Sequence, residues 1–251
     1  MVAGNSPIAA THLVVAHSVR AEEVTRFNAL AGAWWDPAGP MAPLHRMNPA
    51  RIGWILSRLR ARRSDLTGLR VLDVGCGAGL AAEALAREGL DVLGIDAASA
   101  AIDAARAHAA GLNLPLAYRA ATTETLLAEG QKFPVITALE VIEHVAHPAA
   151  FIALLAGLLE PGGELFLSTL NRTARSFITA KLGAEYVLRW LPIGTHDWRR
   201  FLTPAETAAH LRATGLNVTD LTGLVPNFRH GMWETKADVS VNYLLAASDG
   251  T

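Results

Sequence analysis

A glycine loop lies between two apolar segments of the sequence, and the spacing of its residues suits a bound nucleoside. Residues 71–79 read Val-Leu-Asp-Val-Gly-Cys-Gly-Ala-Gly, so a short apolar segment leads into glycines at 75, 77 and 79. Asp96 ends the next apolar segment, 21 positions beyond Gly75. A carboxylate at this distance can meet the ribose of a nucleotide whose other half lies over the loop. The pattern predicts a nucleoside-cofactor site; the alternative is a tight turn without a ligand.

The glycine spacing and an upstream carboxylate indicate which cofactor this is. The loop reads G-x-G-x-G, with Leu80 where a dinucleotide-binding loop would have its third glycine. Asp73 suits a cationic ligand better than a pyrophosphate, which prefers free backbone N–H groups. S-adenosylmethionine carries an ammonium group and a sulfonium centre. The motif resembles that of class I S-adenosylmethionine-dependent methyltransferases, which implies that Asp73, Gly75 and Gly77 hold the methionine end and Asp96 the ribose.

Three residues that can transfer protons or bind metal follow the fourth predicted strand. Glu140, Glu143 and His144 lie at i, i+3 and i+4, so they share one face if a helical turn begins there. Two carboxylates and an imidazole can bind Mg²⁺, which would stabilise the phenolate of a phenol whose ordinary pKa is about 10. Two alternatives stay open: His144 acts alone as a general base, or all three residues are structural. Leu139, directly before them, is expected to contact the cofactor.

Six separated motifs between about residues 20 and 246 resemble the ubiquinone biosynthesis O-methyltransferase family. They are Trp34-Trp35-Asp36, Pro43 to Arg51, Glu140 to His144, Ser168 to Arg172, Gly194 to Asp197, and Asp238 to Tyr243. The resemblance implies methyl transfer to a phenolic oxygen of polyprenylated precursors, such as 3-demethylubiquinol and a 2-polyprenyl-6-hydroxyphenol. It also implies that Arg51, Gly75, Asp96 and Leu139 bind the cofactor. The same resemblance implies a Mg²⁺ site at Glu140, Glu143 and His144.

Other functions remain compatible with parts of this pattern. One is an O-methyltransferase that acts on a small soluble catechol. Another is a non-catalytic, S-adenosylmethionine-binding scaffold that associates with other enzymes of quinone synthesis. An NAD-dependent oxidoreductase is disfavoured by Asp73 and Leu80.

The segments around these residues predict an α/β fold of the Rossmann-like, class I methyltransferase type. Predicted strands and helices alternate between residues 70 and 170, which favours a parallel sheet covered by helices on both faces. Late strands near 216–224 and 238–246 complete a predicted seven-stranded, mostly parallel sheet. Residues 1–64 are predicted to form an N-terminal helical cap, in which Asn48 caps the second helix. Residues 65–251 form the predicted S-adenosylmethionine-binding domain.

Residues 171–200 interrupt the alternation of strands and helices. Connections in α/β units usually take about 2–6 residues, so a longer insertion is expected to have a function of its own. This one mixes apolar and aromatic residues with arginine and lysine. Such a composition suits a helix at a membrane surface, and it suits equally a lid whose apolar face packs on the domain.

The amino-acid composition limits the classes of protein to which the chain can belong. Hydrophobic residues make up 51% and charged residues 18% of the chain, which favours a globular fold. The net charge of −1 gives no basis for binding nucleic acid. Cys76 is the single cysteine, which favours a reducing compartment, and residues 149–159, the longest apolar run, are too short to span a bilayer. We expect a cytoplasmic protein with peripheral contact at the inner face of the membrane.

Overall fold

The computed structural model describes residues 18–177, 198–227 and 231–250. The strands are β1 (Arg70–Val74), β2 (Asp91–Asp96), β3 (Leu116–Ala120), β4 (Phe133–Leu139), β5 (Leu159–Leu170), β6 (Asn217–Asn227), β7 (Met232–Lys236) and β8 (Asn242–Ser248). The helices are α1 (Ala21–Leu30), α2 (Ala42–Arg62), α3 (Leu80–Arg87), α4 (Ser99–Ala109), α5 (Thr123–Ala128), α6 (Pro148–Leu158), α7 (Ala174–Ser176) and α8 (Pro204–Arg212). Short 3₁₀ turns span Ala31–Ala33 and Trp198–Arg200.

The strands form one sheet in the order β3-β2-β1-β4-β5-β8-β6-β7. The five strands from β3 to β5 pair in parallel, and β8, β6 and β7 pair antiparallel. The central strands β1 and β4 are buried on both faces, as their nearly continuous apolar sequences require. The predicted α/β fold with a mostly parallel sheet is therefore confirmed.

The described part of the chain contains eight strands in this sheet rather than the predicted seven. The additional strand is β7, which pairs with β6 as an antiparallel hairpin. Its sequence Met-Trp-Glu-Thr-Lys lies at the sheet edge with exposed and half-buried positions, so it lacks the buried apolar run that marks the central strands.

The second helix begins earlier than the sequence predicted. α2 starts at Ala42 with Pro43 in its first turn, so Asn48 lies inside the helix and does not cap it. Instead, the Asn48 side-chain amide donates a hydrogen bond of 2.8 Å to the backbone carbonyl of Leu80. Asn48 thereby ties α2 to the end of the glycine loop.

The two N-terminal helices pack against different elements of the fold. Trp54, Ile55 and Leu59 of α2 belong to the same buried cluster as Val71 of β1 and Phe166 of β5. α1 packs against α4. The boundary between a cap and a domain at residue 64 stays a prediction.

Two further predictions concern the insertion and the membrane. Residues 178–197, most of the insertion predicted as a lid or an interfacial helix, lie outside the described residues. Among the helices that the structure describes, none has the length and hydrophobicity needed to cross a bilayer.

Candidate active site

A cavity of about 940 Å³ opens at the carboxyl ends of β1, β2 and β4. This edge of an open α/β sheet is where ligands usually bind. Gly75, Asp96, Leu139, Glu140 and His144 line one part of the cavity. Side chains of α1, of the start of α2 and of the β6–β7 hairpin line the remainder. The fold therefore brings five of the predicted site residues to a single cavity.

The glycine loop has a backbone that other residues would adopt only with strain. Gly75 and Gly77 have φ angles of +67° and +54°. A Cβ atom on Gly75 would lie 2.5 Å from the Val141 side chain, and one on Gly77 would lie 2.1 Å from the ring of Trp34. Glycine at these two positions leaves space for Val141 and Trp34. The sequence had suggested only that a ligand approaches the loop closely.

Asp96 is held at the cavity by two backbone N–H groups. Gly77 donates to Asp96 Oδ2 at 2.9 Å, and Ala98 donates to Oδ1 at 2.8 Å. Burial raises the pKa of Asp96, and these hydrogen bonds oppose the rise. The contact from Gly77 shows that the 21-residue spacing does bring Asp96 beside the glycine loop.

Asp73 and Arg51 lie behind the cavity wall. Thr137 Oγ1 donates to Asp73 Oδ1 at 2.6 Å, whereas Asp73 Oδ2 has no hydrogen-bond partner among the described residues. Burial raises the pKa of Asp73 to about 6, although the hydrogen bond from Thr137 and the charge of Arg51 oppose the rise. Neither Asp73, Arg51 nor Gly77 lines the cavity.

Arg51 is a buried cation with carboxylates in its electrostatic surroundings. Its side chain donates to Asn48 Oδ1 at 3.1 Å, while its Nε lacks a partner within the described ranges. Burial lowers the pKa of Arg51, and the negative charges of Glu140 and Asp73 oppose this. The buried charge of Arg51 is therefore balanced by groups on β1 and at the end of β4.

Glu140 does not begin the predicted helical turn. Its φ angle is +59°, a left-handed conformation that is uncommon outside glycine. Ser168 Oγ donates to Glu140 Oε1 at 2.7 Å, and the side-chain amide of Asn242 donates to both carboxylate oxygens at 3.2 and 3.3 Å. These contacts from β5 and β8 direct Glu140 away from the helical geometry that the sequence suggested.

Glu143 is buried, and it lies outside the wall of the large cavity. Thr169 Oγ1 donates to Glu143 Oε2 at 2.8 Å, and Glu143 Oε1 lacks a partner in the part of the chain that the structure describes. Burial, followed by repulsion from Glu140, raises the pKa of Glu143 to about 7. Burial and the neighbouring carboxylate therefore both favour the protonated form of Glu143.

His144 is paired with a residue that the sequence did not single out. Its Nδ1 lies 3.2 Å from Glu23 Oε2 on α1, and the ring of Phe27 meets the imidazole edge-on at 5.4 Å. Burial lowers the pKa of His144, but the hydrogen bond to Glu23 and the charges of Glu143 and Glu23 outweigh it, and the pKa is raised. Glu23 and Phe27 lie at i and i+4 and share one face of α1. Nothing in the sequence near these residues indicates that this face packs against His144.

The predicted shared metal site is not present in the described geometry. Glu140, Glu143 and His144 each have a different set of partners, and residues 18–177, 198–227 and 231–250 contain no group of three His, Cys, Asp or Glu side chains that could hold a metal ion. The prediction of a common face was wrong because Glu140 leaves β4 in a left-handed conformation. These three residues, as placed, do not fit a shared Mg²⁺ ion.

Sequence comparisons relate the chain to known methyltransferases. A family model described as a methyltransferase domain matches residues 45–221. The chain is 46% identical over 237 residues to the ubiquinone biosynthesis O-methyltransferase of Methylobacterium nodulans, covering 92% of this chain and 95% of that protein. It is 47% identical over 231 residues to the protein of the same name from Azorhizobium caulinodans, covering 89% and 91%.

Solved structures show the same fold at lower sequence identity. Magnesium protoporphyrin IX methyltransferase from Synechocystis PCC 6803 with bound S-adenosylhomocysteine (SAH) matches with a TM-score of 0.65 and 21% identity, covering 89% of this chain and 94% of that one. An S-adenosylmethionine-dependent methyltransferase from Clostridium acetobutylicum matches with a TM-score of 0.64 and 11% identity, covering 90% and 100%. These likenesses support the class I methyltransferase fold.

Proposed function

The chain belongs to the ubiquinone biosynthesis O-methyltransferase family, and from this premise we propose that it methylates a phenolic hydroxyl of a polyprenylated precursor, with His144 as general base. Its activity is S-adenosylmethionine-dependent O-methylation in ubiquinone biosynthesis. The observation that carries the proposed mechanism is that the His144–Glu23 pair lies in the same cavity as Gly75 and Asp96.

We assign the cofactor to the end of the cavity formed by Gly75, Asp96 and Leu139. When bound, S-adenosylmethionine supplies a methyl group activated by its sulfonium centre. Asp96 is oriented by two backbone N–H groups and retains acceptor sites for ribose hydroxyls. Asp73 lies behind the cavity wall, where its charge favours the cofactor's ammonium group without direct contact.

Arg51 and Gly77 contribute to this proposed site from behind its wall. Gly77 supplies the N–H that orients Asp96. Arg51 offsets the negative charge of Asp73 and Glu140, which would otherwise be concentrated beside one ligand. Gly77 therefore acts on the proposed cofactor site through Asp96, and Arg51 acts through the charges of Asp73 and Glu140.

In the proposed mechanism, His144 acts as the general base that removes the phenolic proton. A phenol with an ordinary pKa of about 10 is mostly protonated at neutral pH, so its oxygen needs a base while it attacks the methyl carbon. The imidazole accepts this proton, and Glu23 orients the ring and stabilises the imidazolium that forms. The carbon–sulfur bond breaks as the carbon–oxygen bond forms, which leaves a methyl ether and SAH.

Apolar side chains make up much of the remaining cavity wall, and they favour a polyprenylated substrate over a small catechol. Phe27, Met41 and Met47 line it on the side of the N-terminal helices, and Val225 and Trp233 line it on the side of the β6–β7 hairpin. A small catechol would leave most of these side chains without a partner, whereas a polyprenyl tail would cover them.

We also propose peripheral contact with a membrane at the mouth of this apolar region. Met232 lines the cavity and is 45% exposed, so an apolar side chain connects the cavity wall with the protein surface. A polyprenyl substrate partitions into the bilayer, which makes a nearby membrane surface its source. Co-sedimentation with anionic phospholipid vesicles tests this; the Met232→Glu variant should bind them less than the wild type.

The mechanism is tested by comparing two histidine variants. In His144→Gln, turnover of a polyprenyl catechol should fall by about 10²- to 10⁴-fold, as expected for loss of a general base, while SAH binding is retained. His147→Gln is the matched control, because His147 is exposed and lies outside the cavity. Equal turnover by His144→Gln and the wild type would contradict the assignment of the base.

The same assay separates the competing functions. Equal turnover of short-chain and polyprenyl catechols would favour a soluble catechol as the substrate. SAH binding without any methyl transfer would favour a scaffold. The resemblance suggested Mg²⁺ as an alternative activator, but Glu140, Glu143 and His144 as placed in the described structure do not fit a shared ion, so chelation should leave turnover unchanged. Activity lost on chelation and restored by Mg²⁺ would support that alternative over proton transfer to His144 alone.

A further inference from the structure

Trp34 packs the six-membered ring of its indole against the glycine loop. A Cβ on Gly77 would lie 2.1 Å from Trp34 Cζ2 and 2.9 Å from Cε2, the ring carbon bonded to Nε1. Trp34 is 5% exposed, and it lines the cavity together with Gly75 and Asp96. The indole of Trp34 therefore borders the proposed cofactor site, and its N–H group is one bond from Cε2, an atom that contacts the loop.

The indole N–H of Trp34 is buried without a hydrogen-bond partner in the described ranges of the chain. Buried tryptophan N–H groups usually have a partner, because an unsatisfied donor costs free energy. Trp35 and Trp198 follow this rule: their Nε1 groups each donate to a backbone carbonyl at 2.9 Å. Trp54 shares the unpartnered N–H, but it packs against Phe166 and does not line the cavity.

We propose that Trp34 Nε1 donates a hydrogen bond to the methionine carboxylate of the bound cofactor. This inference rests on the proposed function, which places the methionine end over the glycine loop. An indole N–H is only a donor, and the carboxylate is the ionised acceptor at that end, whereas the ammonium group cannot accept a hydrogen bond. Asp96 lines the cavity beside the loop and would repel a carboxylate, which a hydrogen-bond donor at this position offsets.

The N–H group can be removed while an aromatic ring is retained. In Trp34→Phe, SAH affinity measured by calorimetry should fall by about 10- to 100-fold, the range for a hydrogen bond to a charged group. The affinity for 5′-deoxy-5′-methylthioadenosine should be nearly unchanged, because this analogue keeps the nucleoside and thioether and lacks the amino-acid end. Trp54→Phe is the matched control, since it removes a buried, unpartnered N–H outside the cavity, and it should bind SAH as the wild type does.

Two results would overturn the proposal. Wild-type SAH affinity in Trp34→Phe would show that the N–H does not contribute to binding. An equal loss of affinity for both ligands would place the contact on the nucleoside. Failure of the wild-type protein to bind SAH would instead contradict the proposed function itself.

The wild-type protein provides a second measurement if Trp34→Phe does not fold. The indole ¹H–¹⁵N resonances can be assigned by elimination with phenylalanine variants of the other tryptophans. SAH should shift the Trp34 resonance downfield, and methylthioadenosine should not. A resonance that responds equally to the two ligands would contradict the carboxylate contact.

Discussion

Replacing Glu23 with glutamine should lower the pKa of His144. Glu23 Oε2 lies 3.2 Å from His144 Nδ1, and each side chain is only 14% exposed, so solvent screens the pair weakly. Burial of the imidazole would lower its pKa, and the contact with Glu23 is the first of the effects that reverse this. A hydrogen bond to a charged group contributes about 1.5–3 kcal/mol, which corresponds to about 1–2 pKa units. The pKa of His144 should fall by that amount in Glu23→Gln.

The pH dependence of kcat/KM measures this change. A general base must be neutral, so wild-type activity should increase as the pH rises through the raised pKa of His144, above the ordinary value of 6.5. In Glu23→Gln, the same increase should occur about 1–2 pH units lower. The maximum rate should also be lower, because a weaker base accepts the phenolic proton less readily. The variant should therefore be closest to the wild type at low pH.

Glu22→Gln provides the matched control for Glu23→Gln. Glu22 lies on the same helix, but its side chain is 67% exposed and pairs with Arg20. Its replacement makes the same change in net charge without contacting the imidazole. The same pH midpoint in Glu23→Gln and the wild type, or an equal shift in Glu22→Gln, would refute the assignment of Glu23 as the partner that sets the pKa of His144.

Three further variants test the loop, the buried acid and the ribose assignment. Gly77→Ala should lower the melting temperature and SAH affinity more than Gly68→Ala, because both glycines have positive φ but only Gly77 has a ring in the way; equal losses would contradict this. The folded-state pKa of Glu143, about 7, lies above its ordinary value of 4.5, so ionisation costs stability as the pH rises through that interval. Glu143→Gln should therefore melt higher than the wild type above pH 7, an advantage that vanishes below pH 4.5, and a pH-independent difference would refute this. Asp96→Ala should abolish SAH binding in calorimetry, whereas Asp91→Ala at the exposed start of β2 should not; wild-type affinity in Asp96→Ala would contradict the ribose assignment.

The sequence by itself determined the features that depend on local pattern and spacing. The alternation of apolar segments predicted the parallel part of the sheet, because strands buried on both faces need continuous apolar runs. The distance between Gly75 and Asp96 placed both at the edge shared by β1 and β2, and the structure joins them through the Gly77–Asp96 hydrogen bond. The edge strand β7 lacked such a run, and its existence depends on pairing with β6.

Only the tertiary structure decided how the side chains of the site are paired. Ser168 and Asn242 reach Glu140 from β5 and β8, and with them Glu140 adopts a conformation that its neighbours in sequence do not indicate. Glu23 of α1 becomes the partner of His144, and Trp34 covers Gly77. Periodicity along a chain reports which face of an element is buried, but it does not report which distant element will pack there. The electrostatics of this site depend on such distant contacts.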